Sequence, residues 1–124
     1  MKTKDRILFK SLELFNELGE PNVTTLLISD ELVISPGNLY YHFKSKADIL
    51  TNLFNWYEQE INSLLEVPDT LMDIEDQWFF LHLIFEKIAK YRFLYQDVVH
   101  VLKRHDNIQQ RFNRIIRKKR KASL

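Results

Sequence analysis

Ser35-Pro36-Gly37-Asn38-Leu39-Tyr40-Tyr41-His42-Phe43-Lys44-Ser45-Lys46-Ala47-Asp48-Ile49-Leu50 is the stretch whose reading decides the fold. Ser35 is a helix N-cap, and Pro36 takes the first helical position, where a missing N–H costs nothing. The helix it starts is short and runs through Asn38, Leu39, Tyr40 and Tyr41. Ser45 begins a second cap, and Asp48 three residues later completes a capping-box pattern. A long helix follows through Ile49, Leu50, Leu53, Phe54, Tyr57, Ile61 and Leu64.

Toward the N-terminus the same logic holds. Leu8, Leu12 and Phe15 share one helical face, with Ile7, Ser11, Leu14 and Leu18 beside it, which predicts a helix over 3–18. Gly19 stands where a left-handed C-terminal residue belongs, and Glu20, Pro21 and Asn22 make a turn. Thr24 caps a short helix ending near Leu32, with Val23 and Ile28 spaced as a hydrophobic staple. Val33 and Ile34 must then turn the chain. Two short helices across a tight turn, preceded by a supporting helix, are the parts of a helix-turn-helix reader. The second of them needs a thin N-terminal end to enter the major groove, and Pro36-Gly37-Asn38 supplies it. The Asn38 amide can offer a donor and an acceptor to a base edge.

The run Val23-Thr24-Thr25, then Ile28, then residues 35–50 resembles the signature of the TetR family of transcriptional regulators. The likeness is dense from Ile7 to Leu50, and Leu39-Tyr40-Tyr41-His42-Phe43 followed by Lys46 is its most specific part. The resemblance implies that Thr25 contacts a backbone phosphate, that Ser35, Pro36, Gly37 and Asn38 approach bases, and that Tyr40 and Tyr41 touch phosphates and thymine methyls. It makes His42 a further backbone contact and Lys46 a phosphate anchor. Leu39 and Phe43 match its buried positions. A cation at a helix start is disfavoured by the dipole, so Lys46 needs an anionic partner.

Two departures stand out. The family has small residues where Ser29 and Leu32 stand and a glycine at Val33. A β-branched residue with positive φ is strained, so either this turn has another geometry or the domain is destabilised. The second departure is length: relatives carry further C-terminal helices that complete a ligand-binding domain and a dimer.

Downstream of Pro68 and Asp69, Thr70 with Asp73 marks the next start. A fifth helix carries Trp78, Leu81, Ile84, Phe85 and Ile88; Tyr91 to Arg104 reads as a sixth, and Asp106 caps a seventh. The expected fold is all-α: a three-helix helix-turn-helix DNA-binding domain over 1–47, then a helical ligand-binding and dimerisation body over 48–124, incomplete relative to the family. Most of the aromatics in this body read as core. Trp78, His82, Phe85 and Tyr95 are candidates for an effector pocket, since such pockets are apolar with a few polar groups.

Composition limits the other classes. The chain has 124 residues, 45% hydrophobic, with two Gly, three Pro and no Cys. The absence of Cys excludes disulfides and thiolate metal sites and suits a reducing cytoplasm, the expected location. Net charge is +1, but it is unevenly spread: the N-terminal segment is basic, residues 58–76 are acidic and residues 114–121 are basic. Every apolar stretch is interrupted by polar residues, so no membrane span is expected. His42, His82, His100 and His105 lack zinc-motif spacing, no catalytic grouping can be named, and neither a metal nor a cofactor is expected. The expected function is that of a sequence-specific regulator, a repressor relieved by a small-molecule effector. Its partners are a near-palindromic DNA duplex and, in the intact protein, a second copy. The alternative is a helical protein-interaction module without DNA affinity.

Overall fold

The computed structural model describes residues 1–66, 73–96, 110 and 114–117. It contains α1 (Thr3–Leu18), a 3-10 turn (Glu20–Asn22), α2 (Thr25–Leu32), α3 (Pro36–His42), α4 (Lys46–Leu65), α5 (Ile74–Lys90) and α6 (Phe93–Gln96). Among the described residues every regular element is helical, and no helix is long and apolar enough to cross a membrane.

The starts of α2, α3 and α4 are each held by the side chain that the sequence nominates. Thr24 Oγ1 accepts from the Leu27 N–H (3.1 Å), Ser35 Oγ from the Asn38 N–H (3.0 Å) and Ser45 Oγ from the Asp48 N–H (3.1 Å). Each cap satisfies an amide that has no partner within its helix. The return arm expected from Asp48 reaches one residue further back, where its carboxylate accepts from the Lys44 N–H at 3.3 Å. The full capping box lies at α5, where Asp73 and Asp76 accept from each other's backbone amides. Thr70, the expected sixth helix beyond Gln96, and Asp106, the expected cap of the seventh, lie outside the described residues; the sixth helix is described as Phe93–Gln96.

The core is continuous from the first helix to the last. Ile7, Leu8, Leu12 and Phe15 of α1 pack with Ile28, Leu39, Phe43 and the Ile49, Leu50, Leu53 and Phe54 face of α4; Tyr91, Phe93, Leu94 and Ile115 belong to the same cluster. The 3.6-residue spacing of these positions is what aligns them on one stripe of each helix. Phe43 is 1% exposed, and truncation of such a ring costs about 3–5 kcal/mol. It therefore fixes the end of α3 against α1 and α4.

Val33 settles the question that the sequence left open. Its backbone is left-handed, φ 56° and ψ 46°, and its amide bonds Asp30 and Ser29 carbonyls to close α2. The turn thus has the geometry for which glycine is suited, carried by a β-branched residue that is almost fully exposed. Its strain has no packing gain to offset it.

Candidate nucleic-acid interface

The turn at Val33 sets α3 beside α2 with one anchor inward. Leu39 is the buried residue of α3, while Ser35, Pro36, Gly37, Asn38, Tyr40 and Tyr41 are exposed. Large aromatic side chains on a short helix normally seek cover, yet Tyr40 and Tyr41 remain 59% and 76% exposed. Tyr41 meets His42 edge-on (5.1 Å between centroids), so the two rings brace each other at the C-terminal end of the helix. Lys44 lies over the Tyr40 ring at 4.6 Å and donates to the Tyr40 carbonyl at 3.2 Å.

Between α2, α3 and the start of α4 runs a groove of about 560 Å³, lined by Thr24, Thr25, Pro36, Gly37, Leu39, Tyr40, Phe43, Lys44, Ser45 and Lys46. Thr25, Pro36, Gly37, Tyr40 and Lys46 from the sequence-predicted set thus meet around one concave surface. Lys4, from the first turn of α1, lies 5.7 Å from the centroid of the Phe43 ring, so the basic start of α1 adjoins the end of α3. Lys44 is a further cation on this face, outside the set that the sequence predicts. Its position two residues before Lys46, beyond the end of the helix, was the available signal.

Lys46 is held differently from the sequence expectation. Its ammonium donates to the carbonyls of Glu20 (3.0 Å) and Val23 (2.9 Å) and pairs with the Glu20 carboxylate (3.1 Å). The ammonium thus makes two hydrogen bonds and one ion pair, all within the chain. The anion that the helix dipole calls for at the start of α4 is supplied from within the chain, by a carboxylate that is 1% exposed. The sequence marks Glu20 as a turn residue; in the structure it is also the inner half of this clamp.

Of the four candidates for an effector pocket, Trp78, His82 and Phe85 share one exposed side of α5 and Tyr95 stands apart. Trp78 and Phe85 are 71% and 65% exposed on the outer side of α5, and His82 on the same side pairs with Glu86 at 3.1 Å. Tyr95 lies elsewhere, its hydroxyl bonded to that of Tyr57. None of the four lines the α2–α3 groove, nor a smaller one of about 260 Å³ formed by Phe9, Trp56, Gln59, Glu60 and Lys90. The physical reason is that α5 is apolar around most of its circumference, so that turning Ile84 toward the core leaves Trp78 and Phe85 outside.

Between α4 and the end of α5 lies a polar cluster. Burial pushes the Glu60 carboxyl up, but the hydrogen bond from Lys90 (2.6 Å), the Tyr91 hydroxyl beside it and the charge of Lys87 outweigh that, and it lies below the usual carboxylate value. Burial pushes the Tyr57, Tyr91 and Tyr95 hydroxyls up, so all three stay neutral.

Comparison with known proteins points the same way for both parts. A family model described as "Bacterial regulatory proteins, tetR family" matches residues 7–53, and one described as TetR, "Bacterial transcriptional repressor", matches residues 56–124. The chain is 41% identical over 64 residues to the HTH-type transcriptional regulator QacR of Staphylococcus aureus, covering 48% of this chain and 34% of that protein. It is 33% identical over 97 residues to the biofilm-operon negative transcriptional regulator IcaR of Staphylococcus epidermidis, covering 74% and 51%. Among solved structures, a TetR-family transcriptional regulator from Marinobacter aquaeolei superposes with a TM-score of 0.93 at 40% identity, covering 98% of this chain and 61% of that one. The chain therefore spans between a third and about three fifths of the length of these relatives. With both family models matched and the helix-turn-helix geometry in place, the chain belongs to the TetR family.

Proposed function

We propose that this chain is the DNA-reading and adjoining part of a transcriptional repressor, with residues 1–47 as the reader and residues 48–124 as the regulatory body. The observation that carries this reading is α3 itself: a short helix with Leu39 as its buried residue and an exposed row of Pro36, Gly37, Asn38, Tyr40 and Tyr41. Such a surface fits the major groove, with the small N-terminal end against base edges and the tyrosines toward backbone and thymine methyls. Asn38 reads a base through its amide. Tyr41 and His42, with Thr25 across the groove, contact phosphate and sugar and set the register.

Lys46 enters this assignment as a positioning residue. Its ammonium ties the start of α4 to the Glu20–Asn22 turn and so fixes the wall of the groove opposite α3. Lys44, at the rim of the same groove, is the cation we place against phosphate.

The relatives named as a negative regulator and as HTH-type regulators support repression as the direction of control. We infer that the intact protein is a homodimer on a near-palindromic operator, because two copies of α3 are needed to occupy successive major grooves. Relief by a small-molecule effector completes the proposal, with its site formed by the whole body rather than by the open face of Trp78, His82 and Phe85.

Adding a short duplex to isotopically labelled protein tests the interface. Amide shifts should move at Thr25, at residues 35–42 and at Lys44, and stay still along the outer side of α5. Shifts confined to α5 would place the duplex on another face and overturn the assignment of α3, and no shifts at all would favour a protein-interaction module.

A further inference from the structure

Three helices converge on the turn that follows α5. The Asn16 carboxamide, from the last turn of α1, donates through Nδ2 to the Lys90 carbonyl at 2.8 Å and accepts at Oδ1 from the Phe93 N–H at 3.0 Å. One side chain thus satisfies a carbonyl at the end of α5 and an amide at the start of α6, groups that helix termini leave without partners of their own. The two partners also fix which way the amide faces, since a carbonyl needs a donor and an N–H needs an acceptor.

The contact is part-buried and flanked by core side chains. The Phe15 and Phe93 rings lie 5.2 Å apart, the fully buried Tyr91 ring lies 5.4 Å from that of Tyr57, and the Lys90 ammonium reaches Glu60 of α4 at 2.6 Å. Lys90 therefore joins α4 through its side chain and α1 through its backbone. The residue it meets on α1 directly follows Phe15, which shares the core that seats Leu39 and Phe43 of α3.

We propose that Asn16 is a positioning residue, a latch through which the α5–α6 turn sets the orientation of the α1–α3 unit. A shift of that turn must either carry α1 with it or break two hydrogen bonds in a packed setting, and packed interfaces change in steps rather than by continuous deformation. The proposal rests on the reading of α3 as the DNA-facing helix; the latch itself is independent of DNA.

The chain has no cysteine, so two introduced ones can carry spin labels without background. Glu31→Cys on α2 and Gln77→Cys on α5 are exposed positions. Double electron–electron resonance on the full chain would compare native Asn16 with Asn16→Leu, which keeps the bulk and removes both bonds, and with Asn16→Asp, which keeps the acceptor for Phe93. The native residue should give one narrow distance peak, Asp a broader one and Leu the broadest. Should the Leu variant fail to fold, the Asp comparison decides alone. Equal widths in the folded variants overturn the latch.

Duplex affinity measured on the same samples separates the two readings. The variants should bind more weakly with an unchanged salt slope, because no phosphate contact is removed. Broadened distances in the variants, with a native chain that binds no duplex, leave the latch standing and remove the DNA reading. Tight binding by the native chain with unchanged distances does the reverse.

Discussion

The Lys46 ammonium sits 3.1 Å from the Glu20 carboxylate, joining the first turn of α4 to the turn between α1 and α2, with side chains 19% and 1% exposed. Removing one partner of a buried pair leaves an uncompensated charge and costs about 3–5 kcal/mol. Because Lys46 keeps some solvent contact, the loss for Lys46→Met should fall at about 3 kcal/mol, and Lys46→Met with Glu20→Leu should recover most of it. Urea unfolding of the single and double variants checks this. On DNA, a positioning role predicts a weaker Lys46→Ala complex with an unchanged salt slope, whereas a direct phosphate anchor would lower the slope by about one.

Val33→Gly should stabilise the chain. The left-handed backbone costs a β-branched residue about 1–2 kcal/mol, and part of the gain is returned because glycine adds freedom to the unfolded chain. A net rise of about 0.5–1 kcal/mol is expected in denaturant unfolding, with no packing lost at a side chain 91% exposed.

Asn38 and Tyr41 should separate folding from recognition. Both are exposed, so Asn38→Ala and Tyr41→Ala should change stability by no more than about 0.5 kcal/mol. Asn38→Ala should relax base preference by about 1–3 kcal/mol at one position of the site. Tyr41→Ala should weaken binding more evenly across sequences. Competition binding with single-base operator variants reads both.

Acid should expose the Glu60 cluster. Its carboxyl titrates below the ordinary 4.5 in the folded chain, so the stability it supplies is present above that value and is lost as pH falls below it. Glu60→Gln should flatten the fall in stability under pH 4.5, seen as a smaller loss of melting temperature between neutral and acid buffer. Salt should shrink the difference, because the group is partly exposed.

The first four helices are legible in the sequence because their boundaries are written in single residues. Thr24, Ser35 and Ser45 each cap the helix expected of them. Two features were not legible. Nothing local to Glu20-Pro21-Asn22 distinguishes a solvated acid from a buried one; the available signal was remote, in a lysine placed where the helix dipole opposes it. Along α5, Trp78, Phe79, Phe80, Leu81, Leu83, Ile84 and Phe85 leave few polar positions to mark an outer face, so periodicity could not say which aromatics would be exposed. At Val33 the sequence posed two alternatives, and the backbone chose strain over a different turn.

Whether the α2–α3 face meets duplex DNA is decided by a salt titration of binding. Fluorescence anisotropy with a random-sequence duplex should show affinity falling linearly on a logarithmic salt axis, as counterions released from phosphates require. It should fall further for Tyr41→Ala at every salt concentration. A chain that shows no salt-dependent binding to any duplex would contradict the claim and leave the helical body as a surface for protein partners.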